Sequence, residues 1–224
     1  MTLLAPATFG AGGGEPYARA LRDGDSSTLY LHKVGSDGSA THAAMDFARW
    51  SAAADSVDFT LLSAVTGPLL DIGCGPGRMV RAAMDLGMVA LGIDVSPAAV
   101  RYARDSGLNV IEGSIFDRLP REGQWQTALL VDGNIGIGGD PGALLERCRR
   151  LLAPAGELVV EVHEDPDRDH TYEGTLVDAH GRESETFPWA EIGLRRLAVL
   201  APEHGLMLTE RWQLDGRTFC RLAR

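Results

Sequence analysis

Two rhythms divide the chain at Pro68. Beyond it, short apolar runs alternate with segments of helical periodicity. Leu69 to Ile72 predicts a buried strand and Arg78 to Leu86 a helix closed by Gly87. Val89 to Ile93 is a strand and Pro97 to Ser106 a helix, with Ser96 as N-cap and proline at its first position. Asn109 to Ile111, Thr127 to Val131 and Leu158 to Val162 add three strands. Asp140 and Pro141 open a helix running to Leu152. This alternation predicts an α/β fold with a parallel sheet covered on both faces.

The ends of the chain read differently. Residues 1–16 are glycine-rich and bury little, so they are expected to be frayed or adaptable. Glu15 to Gly24 predicts a short helix, residues 25–40 a loop around Leu29 to Leu31, and Thr41 to Ala64 two helices stopped by Gly67-Pro68. Thr171 to Ala179 and Arg182 to Phe187 pattern as a hairpin, and Trp189 to His204 as a helix. Leu206 to Leu214 and Thr218 to Leu222 alternate across Asp215-Gly216, a strong hairpin turn. The reading is one structural domain, with residues 1–67 as a flexible segment and helical cap and 68–224 as the core.

Composition narrows the function classes. The 224 residues are 45% hydrophobic and 23% charged, which excludes a disordered chain. A formal net charge of -10 argues against a nucleic-acid partner, whose backbone calls for a basic face. No run reaches the roughly 18 apolar residues of a membrane span, and the start lacks a signal-peptide pattern. Cys74, Cys148 and Cys220 have no metal-ligand spacing and read as free thiols of a reducing compartment, so a cytoplasmic location is expected. Lys33 is the single lysine among 21 basic residues; this fits GC-rich codon usage and a bacterial source.

The chemistry concentrates in Asp71-Ile72-Gly73-Cys74-Gly75-Pro76-Gly77, a strand, a glycine turn and then a helix start. Gly73 and Gly75 let a ligand lie against backbone, Gly77 brings the helix close to the strand, and the helix start adds unpaired N–H groups. Asp94, seventeen residues beyond Gly77, ends the next strand, where a carboxylate can accept from both hydroxyls of a ribose. A dinucleotide fingerprint would carry its third glycine where this chain has Arg78. Asp71 suits the amino group of a methionine moiety better than a pyrophosphate.

On these residues the chain resembles the class I S-adenosylmethionine-dependent methyltransferases, whose first motif is an acidic residue followed by x-G-x-G-x-G. The resemblance covers residues 60 to 224. It implies a Rossmann-like seven-stranded, mostly parallel sheet with an antiparallel C-terminal strand, under an N-terminal helical cap. It also implies S-adenosylmethionine as cofactor, held by Asp71, Gly73, Cys74, Gly75 and Gly77, with Asp94 on the ribose and Val95 on the adenine. Ser114 and Ile115 follow the third strand, where the family usually has an acidic adenine contact. Asp132 and Asn134 follow the fourth strand, beside the reacting methyl. Leu151 to Gly156 resembles the family's LLxPGG step, with Ala155 in place of its first glycine.

Each position also has a plain structural reading. The glycines could form a bare turn, Asp94 a helix cap, Asn134 a turn residue and Cys74 a small packed side chain. His163, directly after the fifth strand, is the candidate general base for a hydroxyl acceptor, or else a surface histidine. His42, Met45, Phe47 and Trp50 could line an acceptor pocket or only pack the core. Glu161 to His170 holds several acids and two histidines, but Pro166 breaks any helical facing and no metal site is expected. The expected activity is methyl transfer to a small organic acceptor of secondary metabolism. A non-catalytic S-adenosylmethionine binder and a nicotinamide-dependent dehydrogenase remain as alternatives.

Overall fold

The computed structural model describes residues 8–10, 16–23, 29–34, 40–45 and 47–224. Its centre is a seven-stranded sheet in the order β10-β11-β7-β6-β3-β4-β5. β3 (Leu69–Ile72), β4 (Ala90–Asp94), β5 (Val110–Glu112), β6 (Trp125–Leu130) and β7 (Leu152–Val162) run parallel. β11 (Arg217–Ala223) joins β7 antiparallel and pairs with β10 (Met207–Leu214) through a hairpin at Asp215-Gly216. Both turn residues have positive φ, 48° and 76°, as a tight two-residue hairpin requires. The order reverses at β3, which has β6 on one side and β4 on the other. Open sheets bind ligands beyond the strand ends at such a switch point.

Helices cover both faces. Leu70 and Ile72 of β3 pack with Leu144 and Leu145 of α6 (Pro141–Leu151) and with Leu197 and Leu200 of α7 (Leu194–Glu203). Leu69 faces the other way, toward Leu61 and Leu62 of α3 (Ser56–Ser63), Met79 and Val80 of α4 (Arg78–Asp85) and Val100 of α5 (Pro97–Asp105). The helix starts follow the local chemistry. Ser96 Oγ accepts from Ala99 N and Asp140 Oδ1 from Ala143 N, each ahead of a proline at the first helical position. Asp55 and Asp58 form a reciprocal capping box at the start of α3.

The expected helical cap is corrected. α1 (Pro16–Asp23) and α2 (Phe47–Ser51) are helices, but Leu29–Val34 is strand β1 and Ala40–Met45 is strand β2. They pair with each other, and β1 also pairs with β8 (Asp169–Val177), which pairs with β9 (Phe187–Ile192), giving a second sheet in the order β2-β1-β8-β9. The second partner of β1, β8, lies more than a hundred residues along the chain, so no local pattern announces it. The predicted Trp189 to His204 helix is shortened to α7. Phe187, Trp189 and Glu191 alternate with Pro188, Ala190 and Ile192 along β9, and Gly193 stands at the break before α7. Arg182 to Phe187 contributes one isolated bridge, Val177 to Glu183, rather than a hairpin strand. The expectation of a frayed 1–16 falls mostly outside the described residues.

A buried ionic network joins the N-terminal helices to the sheet. Arg78, at the start of α4, is ion-paired with Asp58 of α3 and with Asp132, which follows β6. Arg217 of β11 pairs with Asp132 at 2.9 Å and with Glu161 of β7 at 2.5 Å, and Arg49 of α2 reaches Asp58 at 3.2 Å. The Asp58 and Arg78 side chains are 2% and 4% exposed, so removing one partner leaves the other charged and desolvated. Asp58→Ala is expected to cost about 3–5 kcal/mol of stability in urea unfolding; a loss no larger than that of an exposed ion pair would contradict this role.

Candidate functional site

The C-terminal ends of β3, β4, β5 and β6 open into a cavity of about 580 Å³, within the range of small-molecule sites. Its floor is the glycine turn. Gly73, Gly75 and Gly77 all have left-handed φ, 69°, 52° and 91°, which side-chain-bearing residues rarely adopt. A Cβ on Gly75 would meet nothing but the Tyr17 hydroxyl, at 3.0 Å, so the backbone at Gly75 is bare toward the cavity, whereas Gly73 is packed against Asn134 and Gly77 against Leu108. Gly73 N and Cys74 N both donate to Ile93 O, which docks the turn on β4.

Asp94 holds the turn and faces the cavity. Its Oδ2 accepts from Gly75 N and its Oδ1 from Ser96 N, each at 2.8 Å. Asp94 thus braces the glycine turn and the approach to α5, whose N-cap is Ser96, and each of its oxygens keeps further acceptor capacity. Burial raises its pKa above the ordinary carboxylate value, opposed by the N–H bonds from Ser96 and Gly75. Val95, Ser114 and Ile115 line the same cavity. Ser114 Oγ accepts from Phe116 N, and Asp117 Oδ2 accepts from Ser114 N, so Asp117 shapes this wall as well as facing it.

Cys74 lines the cavity, yet its thiol is buried and pushed well up by desolvation, as for a packed, unreactive sulfur. Asp71 does not line the cavity; it is 2% exposed on the face of β3 shared with Leu69. Burial lifts its carboxyl from 3.8 to about 7, against the pull of Arg78.

Beyond β6, Asp132 and Asn134 reach the cavity, and the structure shows how each is used. Asn134 Nδ2 donates to Ile72 O at 2.8 Å and Gly73 O at 3.0 Å, stapling the 3₁₀ turn Asn134–Gly139 to the glycine turn. Asp132 has φ 56°, and its backbone N donates to Glu161 Oε2 at 2.6 Å. Its carboxylate lies between Arg78 and Arg217. His163 is not brought to the cavity. Its backbone N donates to Ile192 O, and its ring Nδ1 accepts from Asp165 N within its own turn. Among the described residues no group of His, Cys, Asp or Glu is arranged to hold a metal ion, and no helix is long and apolar enough to cross a membrane.

Several lining residues escaped sequence reasoning. Trp50 was a candidate and lines the cavity; the side chains of His42, Met45 and Phe47 lie outside the described ones. Phe9, Tyr17 and Trp189 complete an aromatic wall with Trp50. Trp189 sits on β9 and is brought over the 3₁₀ turn, where a Cβ on Gly136 would meet its indole nitrogen at 2.5 Å. Glycine at 136 was the available signal for this close approach.

Residues 69–156 match the family model described as a methyltransferase domain. Among curated relatives, a ribosomal protein L11 methyltransferase of Azotobacter vinelandii is 34% identical over 135 residues, which is 57% of this chain and 45% of that protein. A ubiquinone biosynthesis O-methyltransferase of Cereibacter sphaeroides is 32% identical over 96 residues, 41% of this chain and 39% of that protein. The chain thus spans less than half the length of these relatives. Among solved structures, an S-adenosylmethionine-dependent methyltransferase from Bacteroides fragilis, in complex with S-adenosyl-L-homocysteine, superposes with a TM-score of 0.77 at 18% identity. That match covers 99% of this chain and 97% of the other.

The buried Asp71 carboxyl has a pH signature. Folded Asp71 keeps its proton up to about 7, whereas the unfolded chain releases it near 3.8. The folded state therefore binds more protons between these values, and this group's contribution to stability falls as pH rises through that window. Asp71→Asn is expected to lose less stability than the wild type between pH 5 and pH 8, read from urea midpoints without ligand. Equal losses would mean that Asp71 ionises freely in the fold.

Proposed function

We propose that this chain, which carries a methyltransferase domain of the class I S-adenosylmethionine-dependent type, transfers a methyl group to a small organic acceptor. The observation that carries this reading is the joining of Asp94 to the glycine turn on the floor of a partly open cavity. The donor set fits the cofactor. A carboxylate with spare acceptor capacity suits a ribose diol, and the backbone at Gly75 leaves room for the methionine arm, whereas the space beside Gly73 is taken by Asn134 and Ile137. Among the described lining residues, Asp132 is paired with Arg78 and Arg217 while the carboxylates of Asp94 and Asp117 have no arginine partner, which favours a ligand of net positive charge.

The bound cofactor supplies a methyl group already activated on a sulfonium. The task left to the protein is to align the acceptor and keep water away. Asn134 locks the 3₁₀ turn against the glycine turn, and Trp50 and Trp189 close the cavity from the side of the second sheet. His163, outside the cavity lining, is not assigned the base. The L11 methyltransferase relatives leave a protein acceptor as the second reading, but the cavity is of small-molecule size and the shared stretch is less than half of those proteins. A soluble bacterial enzyme with a metabolite acceptor fits the composition.

Isothermal titration is expected to show binding of S-adenosylmethionine and S-adenosylhomocysteine. Asp94→Ala should weaken both by at least about tenfold, since charge-assisted hydrogen bonds contribute roughly 1.5–3 kcal/mol each. Binding of NAD with no affinity for either would overturn the reading, and unchanged affinity in the folded variant would remove Asp94 from the site.

A further inference from the structure

We propose that the acceptor is an uncharged, planar aromatic ring carrying an acidic hydroxyl of the phenol type, seated against Trp50, Phe9 and Trp189. This rests on the methyltransferase reading above and names the substrate class of that same cavity.

Three observations converge. The first is the wall itself. Tyr17 and Phe187 are fully buried, at 3% and 1% exposed, and serve the core. Phe9, Trp50 and Trp189 are only half-buried, line the cavity and pack against that core from outside. Phe9 is the hub, with ring centroids 6.0 Å from Trp50 and 5.5 Å from Trp189. Half-exposed rings around a cavity offer flat apolar faces, and a planar ring covers them best at the offset or edge spacings aromatic pairs prefer.

The second observation is charge. Among the described lining residues three carboxylates face one guanidinium, and Arg78 is already ion-paired with Asp58 and Asp132. An acceptor bearing a carboxylate or phosphate would meet net negative charge and no unengaged lining cation.

The third concerns the general base. Among the described lining residues there is no histidine, and Asp132 is held between Arg78 and Arg217. An acceptor that sheds its proton readily suits this lining. A phenolic hydroxyl, with a pKa of about 10, does so far more easily than an aliphatic alcohol. In the transfer the hydroxyl oxygen's lone pair forms the bond to the methyl carbon. The carbon–sulfur bonding pair remains on sulfur, and the proton leaves to water.

Calorimetric titration of the protein saturated with S-adenosylhomocysteine tests this with three probes of one outline: 2-naphthol, decahydro-2-naphthol and 2-naphthoate. The expected result is 2-naphthol binding at least about tenfold tighter than the other two, a difference of about 1.4 kcal/mol or more. Trp189→Leu and Trp50→Leu should each weaken 2-naphthol by about tenfold while holding S-adenosylhomocysteine affinity within about threefold. With S-adenosylmethionine, mass spectrometry should detect 2-methoxynaphthalene. Equal or tighter binding of the saturated or anionic probe, or no binding of 2-naphthol to the loaded protein, overturns the ring assignment. Failure to load S-adenosylhomocysteine at all overturns the methyltransferase reading beneath it. Should a tryptophan variant not fold, the wild-type probe series still decides.

Discussion

Arg78 is the constraint around which the site is arranged. A guanidinium placed at the first turn of α4, directly behind the glycine turn, is 4% exposed and must be neutralised inside the protein. Asp58 from α3 and Asp132 from the end of β6 do so, and Arg217 and Glu161 carry the network to β11 and β7. Five elements are thereby held at one edge of the sheet. The left-handed backbone at Asp132 is part of this arrangement, since its N–H is taken by Glu161 and its carboxylate by two arginines. Among the described lining residues the one arginine, Arg78, is engaged by this network while Asp94 and Asp117 are not, so the lining is acidic overall.

The two sheets divide the work. The seven-stranded sheet presents backbone and a carboxylate at its switch point, suited to a ribose and a methionine arm. The second sheet, with α1 and α2, presents rings. Trp189 belongs to β9 and Trp50 to α2, and both meet Phe9 over the cavity. Under the proposed function, methyl transfer poses two binding problems side by side, and a different layer, with its own chemistry, faces each. The 3₁₀ turn Asn134–Gly139 lies between them, stapled to the glycine turn by Asn134 and packed closely on β9 at Gly136.

What was legible in the sequence follows from the range of the forces involved. The parallel strands, their helices and the Asp215-Gly216 hairpin rest on local patterns: apolar runs, N-cap residues and left-handed turn positions. The glycine turn and Asp94 were legible because their chemistry is confined to a short stretch. Strands β1 and β2 were not, because β1 is held by pairing with β8, far along the chain, and β2 by pairing with β1. For the same reason the aromatic wall was visible only at Trp50. Phe9 and Tyr17 lie near the start of the chain and Trp189 on β9, far along it, and packing against the second sheet brings them together. His163 had the right position after β7 but lies outside the cavity lining, and strand position alone did not reveal that.

The central claim is that the glycine turn and Asp94 hold an adenosyl cofactor with its sulfur directed toward the aromatic wall. A crystal structure of the protein grown with S-adenosylhomocysteine measures this most directly. The account predicts the ribose diol within hydrogen-bond distance of Asp94, the methionine arm along Gly75, and the sulfur facing the space bounded by Asn134, Trp50 and Trp189. A ligand seated elsewhere, or one whose sulfur is separated from those rings by protein, would contradict it.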